Sequence, residues 1–134
     1  QNSTLWSSWA IKSSGLKIYF SGDSGYGSHF EKIGKEHGPF DISLIDCGQY
    51  NSAWKYSHMF PGQAVAAAID LKSKYFMPIH WGGFILAMHP WDEPVKKSKK
   101  LAEEQGLNCL TPKIGEILSK SSLNKQFPLW WDNY

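Results

Sequence analysis

In the stretch Tyr19-Phe20-Ser21-Gly22-Asp23-Ser24-Gly25-Tyr26-Gly27, an apolar run that begins at Leu16 ends in a loop of three glycines and one carboxylate. Ser28-His29-Phe30-Glu31 follows directly and reads as a capping box, with Ser28 as N-cap and Glu31 reaching back to it. A strand, a glycine-rich loop and a capped helix in that order predict an α/β unit. Asp23 then stands at the carboxyl end of a strand, where ligands bind in open α/β sheets. It has two readings, an Asx-turn residue that shapes the loop or a ligand with glycine-made space around it.

A second strand end of the same kind lies downstream, in Met77-Pro78-Ile79-His80-Trp81-Gly82-Gly83-Phe84, and it delivers His80. Between and around these two anchors the elements alternate. Thr4 to Ile11 mixes aromatic, apolar and small polar residues and predicts a strand, turned at Ser13-Ser14-Gly15 into a hairpin with Leu16 to Phe20. The capped helix runs from His29 to His37 and stops at Gly38-Pro39. Ile42 to Cys47 is a short apolar strand of the type buried in an α/β sheet, and Gly48 to Met59 is a loop rich in aromatics.

Pro61 opens the next helix in its first turn, with Ala64, Val65, Ala68 and Ile69 on one packing face. Tyr75 to Ile79 is the next strand. A third helix starts at Trp91-Asp92-Glu93-Pro94, turns Val95, Leu101 and Ala102 inward, and stops at Gly106. Its Lys96, Lys97, Lys99 and Lys100 read as the solvated face of an amphipathic helix rather than as an anionic-surface patch. Asn108 to Leu110 and Glu116 to Leu118 predict two last short strands, and Phe127 to Trp131 an apolar strap.

A chain of 134 residues, 42% hydrophobic with net charge +2, is long enough for one domain with a core. All fourteen basic residues are lysine, which argues against a dedicated nucleic-acid surface, where arginine supplies the bidentate contacts. No apolar run is long enough to span a bilayer, and no signal-peptide pattern opens the sequence. With the lysine-only basic set, this predicts a cytoplasmic protein. Cys47 and Cys109 are far apart and in apolar contexts, as expected of buried reduced thiols rather than a zinc pair.

Asp23 and His80 are an oxygen and a nitrogen donor, which suit zinc, manganese or iron. Two ligands do not complete a site, since catalytic zinc takes about three plus water. His29, His37, His58 and His89 form no His-x-His or His-Glu-x-x-His cluster, so spacing does not identify the others. There is no Gly-x-Ser-x-Gly elbow. The loop from Gly22 to Gly27 lacks both the lysine of a P-loop and the Rossmann spacing.

Four groups of residues carry a family resemblance: Thr4-Leu5-Trp6-Ser7-Ser8-Trp9; Phe20 to Tyr26; Ile33-Gly34 with Gly38-Pro39-Phe40-Asp41; and Pro78-Ile79-His80-Trp81-Gly82. In this order they resemble the C-terminal half of the metallo-β-lactamase fold, in the branch similar to N-acyl-phosphatidylethanolamine-hydrolysing phospholipase D. The resemblance covers nearly the whole chain. It implies a four-layer αββα sandwich with two metals, most readily zinc, at one edge of the facing sheets. Residues 1–134 would form the C-terminal part of one such domain.

By the same resemblance Asp23 matches a carboxylate that bridges both metals and His80 the last histidine ligand. Tyr50 and His58 match loop positions beside the cleft, where His58 would contact the scissile group; ordinary aromatic packing is the other reading of both. The implied reaction is hydrolysis of a phosphodiester, ester or lactone by a dinuclear centre. The family's His-x-His-x-Asp-His cluster and a further histidine belong upstream of the first strand, so this chain alone is expected to be inactive. Gly62-Gln63 replaces the family's acidic pair after proline, a departure that keeps the implied substrate class wider than phospholipids. Two other expectations compete with a catalytic parent. One is a non-catalytic binding module. The other is a half-domain that pairs with a second copy, rather than with the missing N-terminal half, and brings Asp23 and His80 from each.

Overall fold

The computed structural model describes residues 6–134. Its sheet has five strands, β1 (Trp9–Ser13), β2 (Leu16–Phe20), β3 (Ile42–Asp46), β4 (Tyr75–Ile79) and β5 (Asn108–Cys109), in the spatial order β1-β2-β3-β4-β5. β1 pairs antiparallel to β2, and β2 to β5 run parallel to one another. The crossovers carry α1 (His29–Glu36), α2 (Pro61–Asp70) and α3 (Glu93–Glu104). Because strand order follows chain order, right-handed crossovers set all three helices on one face.

That face holds the larger core. Tyr19, Ile45 and Phe76 from the strands meet Phe30 of α1, Ala64, Val65, Ala67 and Ala68 of α2, and Ala102 of α3. Alanines at the α2 contact let the helix backbone lie close to the sheet. Gly34 serves the same end between helices, since a Cβ there would stand 2.0 Å from the Asp70 carbonyl oxygen. The opposite face carries Leu16, Ile42, Leu44, Tyr75 and Met77, and the C-terminal segment crosses it with Leu118, Leu123 and Phe127. Trp130 and Trp131 close the chain in a 3-10 turn against Val95, Trp81 and Trp91, as expected of an apolar strap.

Several expectations are corrected. The first strand runs over Trp9–Ser13 rather than Thr4 to Ile11, and residues 1–5 of that expectation lie outside the described part. Ser28 has helical backbone angles and makes no side-chain cap hydrogen bond, so the capping box does not form. Glu31 pairs with Lys35 one turn on instead, at 2.5 Å. Ile69 is exposed, and Ala67 takes the inward place expected of it. Glu116 to Leu118 forms no strand; Glu116 caps a turn by accepting the Lys113 N–H at 2.9 Å. Cys47 is buried as expected, whereas Cys109 is only half-buried, and both are free thiols. The α3 lysines sit in i,i+4 pairs, Lys96 with Asp92, Lys97 with Glu93, Lys99 with Glu103 and Lys100 with Glu104, the solvated face expected of them. No helix among the described residues is long and apolar enough to cross a membrane.

Candidate metal centre

The carboxyl ends of β2, β3 and β4 lie side by side, because parallel pairing sets Phe20 opposite Leu44 and Asp46 opposite Ile79. The turns that leave those ends are fixed by close backbone contacts. Gly48 follows β3 so tightly that a Cβ would stand 1.6 Å from the His80 carbonyl oxygen. His80 itself has φ +67°, a left-handed conformation that side chains seldom adopt. Such strain persists only where the surroundings impose it, and it collects at functional sites. Gly25 donates its N–H to the Tyr56 carbonyl at 3.1 Å, and a Cβ there would meet that oxygen at 2.7 Å. The Asp23 loop is thereby held against the loop that carries His58.

These contacts bring Asp23, His58 and His80 together, with one ligand atom of each within 4.8 Å of the others. His80 Nδ1 lies 3.8 Å from Asp23 Oδ1, and the His58 and His80 rings stack with centroids 5.0 Å apart. Asp23 is 60% exposed and His58 15% exposed, so the group opens on one side to solvent. A cavity of about 440 Å³ lies beside Asp23, lined by Tyr19, His29 and Tyr56 among others. One of about 300 Å³ lies beside His80, lined by Trp81, Thr111 and Trp130 among others.

Two nitrogens and one carboxylate match the donor set of a first-row divalent ion. Ligands at about 2.1 Å from a tetrahedral ion stand roughly 3.4 Å apart, so the 3.8 Å between His80 and Asp23 needs only a small closure. The three residues therefore fit a single divalent ion. Tyr50 is not part of the group. Its ring is buried against Phe60 and His89, and its hydroxyl donates to Glu93. Burial, with Glu93 beside it, pushes the Tyr50 hydroxyl's pKa well up, as suits a structural donor.

One residue of the site was not singled out in the sequence. Asp46 ends β3, is wholly buried, and has Oδ2 2.9 Å from His58 Nδ1. The same oxygen accepts the Ser24 N–H at 3.2 Å and Oδ1 accepts the Gly48 N–H at 3.3 Å. Burial pushes the Asp46 carboxyl up, against the opposing pull of His58 and the two backbone donors. Ser21 Oγ in turn accepts the Asp46 N–H at 2.9 Å. A signal for Asp46 was present: a carboxylate closing an otherwise apolar strand, between the two strands whose ends supply Asp23 and His80.

Parallel strands whose carboxyl ends gather nitrogen and oxygen donors beside open cavities make an α/β unit with a candidate metal site. The family model of the beta-lactamase superfamily domain matches residues 1–81, and the chain belongs to that family. An uncharacterised Mycobacterium tuberculosis protein is 41% identical over 98% of this chain and 36% of its own length. The N-acyl-phosphatidylethanolamine-hydrolyzing phospholipase D 1 of Caenorhabditis elegans is 33% identical over 90% of this chain and 36% of its own. The chain thus spans about a third of the length of these relatives. Among solved structures, a metallo hydrolase from the archaeon Ignicoccus hospitalis superposes with TM-score 0.62 at 21% identity, over 80% of this chain and 42% of that one. The expected metallo-β-lactamase fold and the resemblance to the phospholipase D branch are thus borne out.

Proposed function

We propose that this chain supplies one edge of a metal-dependent hydrolase centre, with Asp23 and His80 as metal ligands and His58 at the reacting side. The observation that carries this reading is the convergence of the three donors, within 4.8 Å, at adjacent strand ends. A divalent ion held there, zinc most readily and manganese or iron alternatively, supplies Lewis acidity to a substrate oxygen and makes water acidic enough to attack near neutral pH. Asp23, exposed and with two oxygens, would hold the ion and could serve a second one if donors from elsewhere in the protein supplied it. His80, at the end of β4, would supply the nitrogen ligand on the other side of the ion. His58, less exposed and held from behind by Asp46, contacts the scissile group.

The substrate class is a phosphodiester, or a related ester or lactone. The worm relative's named substrate, an N-acyl phosphatidylethanolamine, supports the phosphodiester member of that set. Asp23 and His80, with His58 beside them, can hold one ion at most, so the chain by itself is expected to bind metal without appreciable turnover. Completion comes from the second layer of the sandwich, whose place is the exposed sheet face around Trp9 and Ile11.

Metal content measured by plasma mass spectrometry after equilibration with zinc tests this. About one equivalent in the chain, lost in both Asp23→Ala and His80→Ala, is expected. Absence of zinc in the chain, or its retention in both variants, would overturn the assignment of those two residues.

A further inference from the structure

We propose that Asp46 is a positioning residue: it holds His58 in the tautomer with hydrogen on Nδ1, leaving the Nε2 lone pair for the cleft shared with Asp23 and His80. The inference deepens the metal-centre reading and rests on it for what Nε2 then does. It stands on three contacts that converge on one wholly buried side chain and a fourth at its backbone. Asp46 Oδ2 lies 2.9 Å from His58 Nδ1 and 3.2 Å from the Ser24 nitrogen, Oδ1 lies 3.3 Å from the Gly48 nitrogen, and the residue's own N–H donates to Ser21 Oγ.

An ionised carboxylate only accepts, and the two backbone N–H groups and the imidazole that face Asp46 favour that form against the burial that opposes it. With each backbone N–H already aimed at one of its oxygens, the hydrogen in the His58 contact has to come from Nδ1. In the neutral imidazole that leaves Nε2 as the acceptor, the atom able to take a metal or a proton. Ring orientation is fixed as well, since the stack on His80 at 18° leaves little freedom to rotate. A carboxylate behind a histidine is the usual device for setting ring tautomer and basicity at metal sites. The chain could have left the end of β3 apolar, as most of the strand is. A buried carboxylate without a lysine beside it is costly unless it is well bonded, and here it is bonded to both loops of the site.

Asp46→Asn keeps the size but supplies an NH₂ group to one of the two oxygen positions. With the amide nitrogen facing His58, the ring must accept at Nδ1 and carry its hydrogen on Nε2. With the nitrogen facing Gly48 it opposes that N–H, and facing His58 it opposes the Ser24 N–H, so both orientations carry an opposed donor. The variant therefore no longer imposes hydrogen on Nδ1, and the Nε2–H tautomer becomes populated. Long-range ¹H–¹⁵N correlation spectra of the imidazole rings read this directly, with the His58 signals assigned by their loss in His58→Gln. The wild-type chain, recorded without metal at a pH where the ring is neutral, is expected to show hydrogen on Nδ1. Asp46→Asn is expected to shift signal to the other tautomer, and zinc affinity to fall about 10- to 100-fold, the usual effect of losing such a partner.

An Nε2–H tautomer in the wild type overturns the proposal, whatever the variant does. So does an unchanged tautomer in a folded Asp46→Asn. If His58 carries its hydrogen on Nδ1 but the chain takes up no zinc, the positioning role stands and the metal reading falls. If zinc binds while the wild-type ring shows the Nε2–H form, the reverse holds.

Discussion

Two aspartates of this chain show what a sequence makes visible at the scale of one residue. Asp23 stands out because glycines surround it, and a loop carboxylate between glycines invites a ligand reading. Asp46 closes an apolar strand, and its role depends on Ser24, Gly48 and His58, which only the folded chain brings to it. Gly48 was hidden for the same reason. Its need for glycine arises from the His80 carbonyl, 32 positions away in sequence and 1.6 Å from a would-be Cβ. Gly48→Ala must push β3 and β4 apart at their carboxyl ends, so it is expected to cost about 1–3 kcal/mol and to weaken zinc binding. Urea melts and a zinc titration of that variant check both, and wild-type values in each would show that the turn yields easily.

Cys47 gives a pH prediction at the same scale. Burial pushes its thiol from 9.0 up to about 12. In the unfolded chain the thiol ionises near its ordinary value, while the native one keeps its proton. Above that value the native state binds more protons than the unfolded state, so stability falls as pH rises from about 9 toward 12. Below the ordinary thiol range the contribution is fully present. Urea melts across that window should show the decline, and Cys47→Ala should make it shallower, with Tyr19, Tyr26, Tyr50, Cys109, Lys74 and Lys96, which are also raised, accounting for the remainder.

Elements were easier to read than their ends. Helix and strand positions followed from apolar periodicity, and β2, β4 and the start of α2 are where the sequence predicts them. Signals that involve a single side chain misled. Ser28-His29-Phe30-Glu31 has the capping-box pattern, yet Ser28 adopts helical angles and its hydroxyl makes no cap hydrogen bond. Lys35, one turn beyond Glu31, offers that carboxylate a charged partner instead. Ser28→Ala is therefore expected to change stability by less than about 0.5 kcal/mol, the range of an ordinary surface substitution. A working N-cap would cost about 1 kcal/mol, and a loss of that size in a urea melt would mean the cap forms in solution. Of the strand expected at Glu116 to Leu118, only Leu118 packs onto the sheet face, with Leu123 and Phe127, while Ile117 is exposed. Trp131, nearly buried against Val95 and Trp81, ties the end of the chain to the loop after His80. Trp131→Ala is expected to cost about 3–5 kcal/mol.

At the scale of the molecule, the two faces of the sheet are unequal. Helices cover one face, while only the C-terminal segment crosses the other, on the side of β3 and β4. Toward β1 the second face is open: Trp9 is 63% exposed and Ile11 51%, opposite Phe20 and Ile18 across the antiparallel pair. Those four side chains lie on one surface because cross-strand partners point the same way. They form an apolar patch on an edge hairpin, the kind of surface that seeks a partner. The chain covers 36% of the length of its longer relatives, which leaves room in them for a segment that covers this face. The isolated chain is then expected to self-associate through this face. Sedimentation velocity over a range of concentrations should show a mass above 15.2 kDa that falls back on dilution. Ile11→Lys places a charge in the centre of the patch without touching the helix-side core, so it should restore the monomer and leave the melting temperature nearly unchanged. If Ile11→Lys associates as strongly as the parent chain, the contact lies elsewhere. The exposed loop at Phe84, Ile85, Leu86 and Met88, held by the Gln49 carboxamide, is then the surface to alter next. Zinc content measured on the Ile11→Lys monomer separates the two ways of building the centre. Retained zinc means the donors of one chain suffice for an ion, and zinc lost with association means the ion is shared between copies.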